Sequence, residues 1–336
     1  GYSKVTAKSI SIEISGDASI GGSVYGGGQS TPVISSYNGT RNFSGKFNNV
    51  AAVDAEGVTI SVDGKARVSG SVYGGGRGIA ASSLSNPDTN STEYLEWTSI
   101  VCMDDSGSMK YVPWFVGNNS SVTFNEKFDY GGFASSSSSS ADSSRTVSVK
   151  DGTVAGSVYG GGAIGTTSIE GDTSVSVEDG RVSGSVYGGG MGLTDDKDAG
   201  KVSSENVNVT IGAGTYGPSI GGSVYGGGEQ SLTTGAIHVT VKECTIEGNV
   251  FSGGLGSIGY QSTAGTRELD MSAGLVKGSV YGSSAFGNDE SGTVVRIQGG
   301  SVSGSVYGGG FKGMTWGNTK VLIEGSASIG MSVFGG

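Results

Sequence analysis

The sequence predicts an all-β chain folded as a single parallel β-helix, and three observations support this prediction. The segment G-S-V-Y-G-G-G, or a close variant, occurs nine times, and the shorter spacings between copies are 26–30 residues. Each repeat contains short runs in which apolar and polar residues alternate, as in β-strands. Glycine supplies 66 of the 336 residues, and it recurs in register with Val and Tyr, which indicates turns and close packing rather than disorder.

The copies of this segment define the repeat, since a fixed period in this range is typical of a solenoid. Full copies begin at Gly22, Gly70, Gly156, Gly184, Gly222 and Gly304, and variant copies begin at Gly248, Gly278 and Met331. Two spacings are much longer, 48 residues after the first copy and 86 after the second. We expect degenerate copies near Phe47 and near Asp129 and Tyr130 to fill them. The prediction is therefore a helix of about 9–12 coils with three short strands in each coil.

One regular repeat, Ala163 to Gly190, shows the three predicted strands, at 166–170, 174–178 and 182–187. In the third strand an Ile or Val stands four residues before the repeat valine, so both side chains share one face, which we place inside. The aromatic residue after each valine then points outward. The resulting aromatic ladder consists of Tyr25, Tyr73, Tyr159, Tyr187, Tyr225, Phe251, Tyr281, Tyr307 and Phe334.

Two roles for the aromatic ladder are open at this point. Rings on strands about 4.8 Å apart can stack along the helix axis and stabilise it. An exposed row of rings can also bind carbohydrate, because exposed aromatic surface often marks a binding site.

Composition excludes several classes of partner. The formal charge of −10, without a basic run, argues against nucleic acid, and no apolar stretch is long enough for membrane insertion by this segment. Cys102 and Cys244 lie in different repeats without metal-ligand spacing, so we predict free thiols rather than a disulfide. No cofactor is predicted. The chain stops within a repeat, which favours a fragment or mature segment of a longer protein.

Residues 77–125 depart most from the repeat and are predicted to form irregular coils or a projecting loop. They are rich in aromatic residues with few charged neighbours, a composition that suits ligand contact. The candidate ligand-binding residues are Trp97, Tyr111, Trp114 and Phe115. The serine-rich stretch 134–144 falls within an ordinary repeat length, so we predict ordered structure there rather than a linker.

Within the irregular segment, Asp104, Ser106 and Ser108 form a D-x-S-x-S pattern that resembles the metal-site loop of von Willebrand A domains. That resemblance implies a divalent metal ion held by short oxygen side chains. It covers about ten residues, and an ordinary Asp-Ser-Gly turn is the alternative. The acidic stretch 195–198 is predicted to be a solvated turn, and His238 a surface residue of an alternating strand.

Taken together, the repeats resemble right-handed, pectin-lyase-like β-helices of bacterial cell-surface repeat proteins and adhesins. This resemblance implies an extracellular protein, at the cell surface or secreted, that acts as an adhesin or structural stalk. Its partners would be host or bacterial glycans or proteins. A glycan-binding module or a carbohydrate-active enzyme is the alternative. Enzymes on this fold carry clustered Asp with Arg, Lys or His in a groove, and the sequence does not display that set, so we predict no catalytic activity.

Overall fold

A computed structural model describes residues 3–29, 51–78, 135–193, 199–257 and 260–336, together with five short strands outside these ranges. All regular secondary structure in these parts of the chain is β-strand. The prediction of an all-β chain built from stacked parallel strands is confirmed. None of the described residues belongs to a helix long and apolar enough to cross a membrane.

Two of the sheets run the whole length of the stack, and each contains nine parallel two-residue strands. Sheet B consists of β2 (Ser19–Ile20), β8 (Arg67–Val68), β14 (Thr153–Val154), β18 (Arg181–Val182), β21 (Ser219–Ile220), β24 (Thr245–Ile246), β28 (Leu275–Val276), β32 (Ser301–Val302) and β35 (Ser328–Ile329). Sheet C consists of β3 (Val24–Tyr25), β9 (Val72–Tyr73), β15 (Val158–Tyr159), β19 (Val186–Tyr187), β22 (Val224–Tyr225), β25 (Val250–Phe251), β29 (Val280–Tyr281), β33 (Val306–Tyr307) and β36 (Val333–Phe334). We number the coils 1 to 9 by the strands of sheet C. This arrangement is consistent with a β-solenoid.

Sheet A has thirteen strands and departs from a simple β-helix. Its strands are β1 (Ser3–Ile14), β7 (Ala51–Val62), β12 (Ser135–Ser138), β13 (Ser144–Val149), β16 (Thr166–Ile169), β17 (Asp172–Val177), β20 (Val202–Ile211), β23 (Thr233–Val241), β26 (Gln261–Ala264), β27 (Arg267–Met271), β30 (Asn288–Asp289), β31 (Thr293–Ile297) and β34 (Thr319–Ile323). The pairings of β7, β13, β17, β20, β16 and β12 close a parallel ring of six strands.

The ring closes because β7 and β20 are long strands. Along one edge, each of them pairs with two shorter strands that follow one another. The first part of β7 pairs with β12, and its last part pairs with β13. In the same way, β20 pairs with β16 and then with β17. The prediction of three short strands in each coil is correct only in part, since coils 1, 2, 5, 6 and 9 contain three strands and coils 3, 4, 7 and 8 contain four. The coil of Val186 has four strands, since its predicted third strand is divided at 183–185 between sheets B and C.

The strands on either side of each long spacing pair directly with each other in sheet C. Val24 pairs directly with Val72, and Val72 pairs directly with Val158. No coil can therefore lie between these neighbours in sheet C, and Phe47, Asp129 and Tyr130, where degenerate copies were expected, lie outside the described residues. The described residues form nine coils, and the twelve-coil version of the prediction is wrong.

The two long insertions leave the stack at equivalent corners, after Gln29 and after Gly78. Their described strands are β4 (Val33–Ile34), β5 (Ser36–Tyr37), β6 (Phe43–Ser44), β10 (Ile100–Met103) and β11 (Met109–Val112). Strand β10 pairs with β11 in an antiparallel hairpin and with β4 in parallel. The first insertion therefore pairs with the second. The serine-rich stretch is ordered as predicted, because 135–138 forms β12 between β7 and β16.

Inward-pointing aliphatic side chains from all three sheets form the main core. In coils 2 to 8 the repeat valines and the Val or Ile four residues earlier are at most 1% exposed, which confirms their predicted burial. Coil 9 differs, because Val333 is 48% exposed. Branched side chains suit this environment, since they pack well on a pleated surface.

Glycine follows the aromatic residue because the next coil approaches closely there. A Cβ atom at Gly74 would lie 2.2 Å from the carbonyl oxygen of Gly160, and one at Gly188 would lie 2.1 Å from that of Gly226. Coil 6 has Ser252 at this position, and its hydroxyl donates a hydrogen bond to the carbonyl of Gly282. Only a very small side chain, or one that can bond to that carbonyl, therefore fits between coils.

The burial of Val186 leads to the first prediction. We expect Val186→Asp to lower the free energy of unfolding by about 4 kcal/mol or more, because the new carboxylate would be buried without a partner. Denaturant unfolding followed by circular dichroism measures the change. Ser183→Asp, at an exposed position of the same coil, should have little effect. Equal stability of both variants would contradict the inside and outside assignment.

Candidate functional site

The aromatic ladder forms one continuous column of nine rings beside sheet C. Neighbouring ring centroids are 4.7–5.0 Å apart, and neighbouring ring planes are within 2–9° of parallel. The strands of sheet C pair in register, so each ring lies directly over the next. Stacking of this kind adds to stability beyond the burial of the rings.

Six of the nine rings, those of coils 2 to 7, are buried rather than exposed, which corrects the expected exposed row of rings for these coils. Tyr73, Tyr159, Tyr187, Tyr225, Phe251 and Tyr281 are 3–8% exposed. Residues that follow the glycines of each repeat fold back over the column and form a second apolar cluster with it, including Ala163, Ala285, Met191 and Leu255. Because each ring face is covered by the next ring, the column offers no strip of free faces on which a sugar could stack. Any role of these residues in ligand binding stays a prediction.

Glu229 lies beside the hydroxyl groups of the column. The hydroxyl of Tyr159 donates a hydrogen bond to Oε2 of Glu229. Burial raises the pKa of Tyr159 and Tyr187 well above the usual value for tyrosine, and the nearby carboxylate of Glu229 adds to the rise. Burial also raises the pKa of Tyr73 and Tyr225, although a serine hydroxyl beside each ring opposes the change. The column is therefore stable in its neutral form.

A ladder of serine side chains accompanies the column. The backbone N–H of Ser71 donates to Oγ of Ser23 at 3.0 Å, and the same bond recurs from each coil to the one before it, at 2.8–3.2 Å. In coil 6, Oδ1 of Asn249 replaces the hydroxyl. The serine of the repeat thus joins neighbouring coils, a role that the sequence did not reveal.

A buried polar cluster where coils 7 and 8 meet also escaped sequence analysis. Asp289 is 0% exposed and accepts hydrogen bonds from the hydroxyls of Thr263, Ser283 and Ser284, and from the backbone N–H of Ser284 at 2.6 Å. Arg267, also 0% exposed, donates to Oγ1 of Thr263 at 2.7 Å. The two charges are close, with Nη1 of Arg267 3.9 Å from Oδ1 of Asp289.

The sequence contained one signal for this cluster. The copy of the repeat in coil 7 ends in Ser283 and Ser284, where full copies have glycine. Both serines bond to Asp289, so the departure from the repeat is a specific feature of this coil rather than simple degeneration. The groups of the cluster bond to each other inside the stack, and their chemistry fits a structural role.

A second inward-pointing arginine occupies the same row of sheet A. Arg145 and Arg267 are linked through a chain of paired residues at 173, 207 and 237. Arg145 is 0% exposed, and its Nη1 donates to the carbonyl oxygens of Ala55 and Ser144, both at 2.9 Å. Burial lowers the pKa of Arg145 to about 10, although the charge of Asp54 opposes the change. This row of inward-pointing side chains therefore carries a positive charge at Arg145 and at Arg267, with uncharged residues between them.

Most of the predicted ligand-binding and metal-binding residues lie outside the described residues. They are Trp97, Trp114 and Phe115 and the metal candidates Asp104, Ser106 and Ser108, and the acidic stretch 195–198 lies outside the described residues as well. Tyr111 lies in β11, of which only the backbone is described. The ligand-binding and metal-binding hypotheses therefore stay predictions. Within the described part of the chain, no group of three or more His, Cys, Asp or Glu side chains is arranged to hold a metal ion.

Two other predicted residues are described. His238 lies on the outer row of β23 and is half-buried. Cys244 is a buried free thiol, as predicted, and burial raises its pKa to about 12, with a smaller contribution from Glu243. A thiol with so high a pKa has almost no reactive thiolate at neutral pH.

Comparison of the chain with protein-family models, with curated proteins and with solved structures finds no match. The fold and the site are therefore interpreted from their own geometry.

The buried ion pair leads to the second prediction. We expect Asp289→Ala to lower the free energy of unfolding by about 3–5 kcal/mol, because the charge of Arg267 would remain buried without its partner. Denaturant unfolding measures this change. The matched control is Asp270→Ala, since Asp270 pairs with Arg296 at the surface and should contribute about 1 kcal/mol or less. Similar losses for both variants would show that the buried cluster has no special importance.

The tyrosine column leads to the third prediction, on alkaline pH. The folded pKa is raised above the unfolded value of 10.0 for Tyr73, Tyr159, Tyr187 and Tyr225. Their contribution to stability is therefore complete below pH 10 and is lost as the pH rises above it, by up to about 1.4 kcal/mol per pH unit for each residue. We expect tyrosinate absorbance from the column to appear together with the loss of β-sheet circular dichroism. Ionisation of these rings in a chain that remains folded would contradict the prediction.

Proposed function

We propose that this chain is part of an extracellular surface repeat protein, at the cell surface or secreted, that acts as an adhesin or structural stalk and not as an enzyme. The observation that supports this best is the unbroken run of sheets B and C through all nine coils. Nine coils spaced by about 4.8 Å make a body roughly 40 Å long. An elongated body of this kind suits the presentation of a binding surface at a distance from its anchor.

The proposal includes the handedness and family of the fold. We infer a right-handed β-helix, because parallel strands joined by crossover connections are right-handed in nearly all proteins. The resemblance of the repeats to pectin-lyase-like surface proteins is the basis for the extracellular location and for glycans or proteins of a host or of bacteria as partners. Fold alone does not determine function, so these remain proposals.

The arrangement of the insertions supports binding in addition to a structural role. Both long insertions leave the stack at equivalent corners, and strands β4 and β10 pair with each other. Loops that a rigid scaffold brings together often carry binding residues. The second insertion contains Trp97 and Trp114, so we propose it as the part of the adhesin that contacts a glycan or protein surface. A glycan-binding module is therefore the second candidate function.

The fourth prediction tests this proposal by binding and by turnover. We expect the purified chain to bind selected glycans or surface proteins on an array, and Trp97→Ala and Trp114→Ala to weaken that binding severalfold without changing the circular dichroism spectrum. Trp316→Ala is the matched control, because Trp316 is an exposed tryptophan outside the insertions.

The possible outcomes separate the functions. Binding that is lost in the two insertion variants supports an adhesin, and the absence of binding favours a stalk. Turnover of a glycan by the purified chain, abolished by Asp104→Asn or Asp195→Asn, would overturn the proposal in favour of a carbohydrate-active enzyme.

A further inference from the structure

The aromatic column contains an unbroken run of tyrosines, which a phenylalanine separates from the rest. The members of this tyrosine run are Tyr25, Tyr73, Tyr159, Tyr187 and Tyr225, and Phe251 follows them. Neighbouring rings of the run have centroids 4.7–5.0 Å apart and planes within 2–9° of parallel. Since their π systems are in direct stacking contact, an electron can pass from one ring to the next without movement of the chain.

The phenol ring of tyrosine is electron-rich and can give up one electron, whereas the ring of phenylalanine gives one up much less readily. Loss of an electron turns the hydroxyl group into a strong acid. The oxidised ring therefore persists only as the neutral phenoxyl radical, after its proton has passed to a base. An oxidising equivalent that enters the tyrosine run consequently settles at a ring whose hydroxyl already donates to such a base.

Tyr159 has this base in Glu229, since its hydroxyl donates a hydrogen bond to Oε2 of the glutamate. The hydroxyl of Tyr73 donates instead to Sδ of Met191 at 3.5 Å, and a thioether is only a weak acceptor. In this described run, no other hydroxyl donates to a carboxylate. Tyr159 is thus the ring of the run whose proton has a partner that can accept it.

Glu229 occupies a position at which the coils differ from one another. It is the residue after the glycines of the repeat, and it pairs in parallel with Met191 of the preceding coil. At this position the other coils from 1 to 8 have Gln29, Arg77, Ala163, Met191, Leu255, Ala285 and Phe311. Coil 5 alone therefore places a carboxylate beside the tyrosine hydroxyls. Glu229 is half-buried, so its side chain contacts solvent as well as Tyr159.

We propose that Tyr159 and Glu229 form a redox site at which the tyrosine run holds an oxidising equivalent. A one-electron oxidant in solution, such as a peroxyl or phenoxyl radical, takes an electron from a ring of the run and is reduced to its anion. Electron transfer between stacked rings moves the electron vacancy to Tyr159. Its O–H bond breaks, and the proton passes to Oε2 of Glu229. The products are the neutral phenoxyl radical of Tyr159 and the protonated carboxyl group of Glu229. This inference does not depend on the proposed function.

Photochemical oxidation of the purified chain with tris(bipyridine)ruthenium and persulfate is the experiment that tests the proposal. Light and persulfate generate ruthenium(III), a one-electron oxidant, and tyrosyl radical is then followed by its absorbance and its electron paramagnetic resonance spectrum. We expect a long-lived tyrosyl radical in the unchanged chain, because Tyr159 is only 4% exposed and its radical cannot meet a second one. Rapid decay of the whole tyrosyl signal would overturn the proposal.

Tyr159→Phe and Glu229→Gln remove the two groups of the site separately. Both replacements suit the fold, since Phe251 occupies the equivalent position in the column and Gln29 occupies the equivalent of Glu229. We expect each variant to give a severalfold lower yield of the long-lived radical, because one lacks the phenol and the other lacks the proton acceptor. Equal circular dichroism spectra verify the fold. A yield equal to that of the unchanged chain in either variant would overturn the proposal.

Two tyrosines outside the tyrosine run provide matched controls. Tyr281 lies in the same column beyond Phe251, and Tyr216 is 88% exposed. We expect Tyr281→Phe to leave the yield of the long-lived radical unchanged, and Tyr216→Phe to remove only radical that decays rapidly, since exposed radicals can couple with one another. A loss in Tyr281→Phe as large as that in Tyr159→Phe would show oxidation of the column without preference for Tyr159, and would overturn the proposal.

Discussion

The structure depends on hydrogen bonding in register between neighbouring coils. Each strand of sheets B and C pairs with the equivalent residues of the next coil, so equivalent side chains lie directly above one another. The valine rows, the aromatic column and the serine ladder all follow from this single constraint. Glycine makes it possible, because a Cβ atom after the aromatic residue would collide with the carbonyl of the next coil.

The features that repeat were predictable from the sequence. The period of the G-S-V-Y-G-G-G segment and the alternation around residues such as Val175 and Val177 were sufficient for the parallel stack and the buried valines. Burial of the tyrosines was not predictable in this way. Alternation shows only that Tyr187 and Val186 point to opposite sides of their strand, and it cannot show that residues after the glycines, such as Met191, fold back over the ring.

Features that do not repeat were predicted poorly. The spacing of 86 residues between Val72 and Val158 is close to three periods, but these two residues pair directly, and the described strands of sheets A and B between them, β12, β13 and β14, belong to a single coil. Spacing alone cannot distinguish a degenerate coil from a loop of similar length. The cluster of Arg267 and Asp289 was missed because its members are distant in sequence and become neighbours only when coils 7 and 8 stack.

This buried cluster has a consequence for how the chain reaches one structure. Nearly identical coils create an ambiguity, because the strand of any coil could pair acceptably with that of many others, and an apolar core alone would not penalise a shift by one coil. A shift that separated Asp289 from Ser283, Ser284 and Arg267 would bury charges without partners. The cluster therefore favours the pairing of coil 7 with coil 8 over the pairing of either coil with any other. Burying these two charges costs free energy, but it leaves fewer alternative folded structures that can compete with the native one.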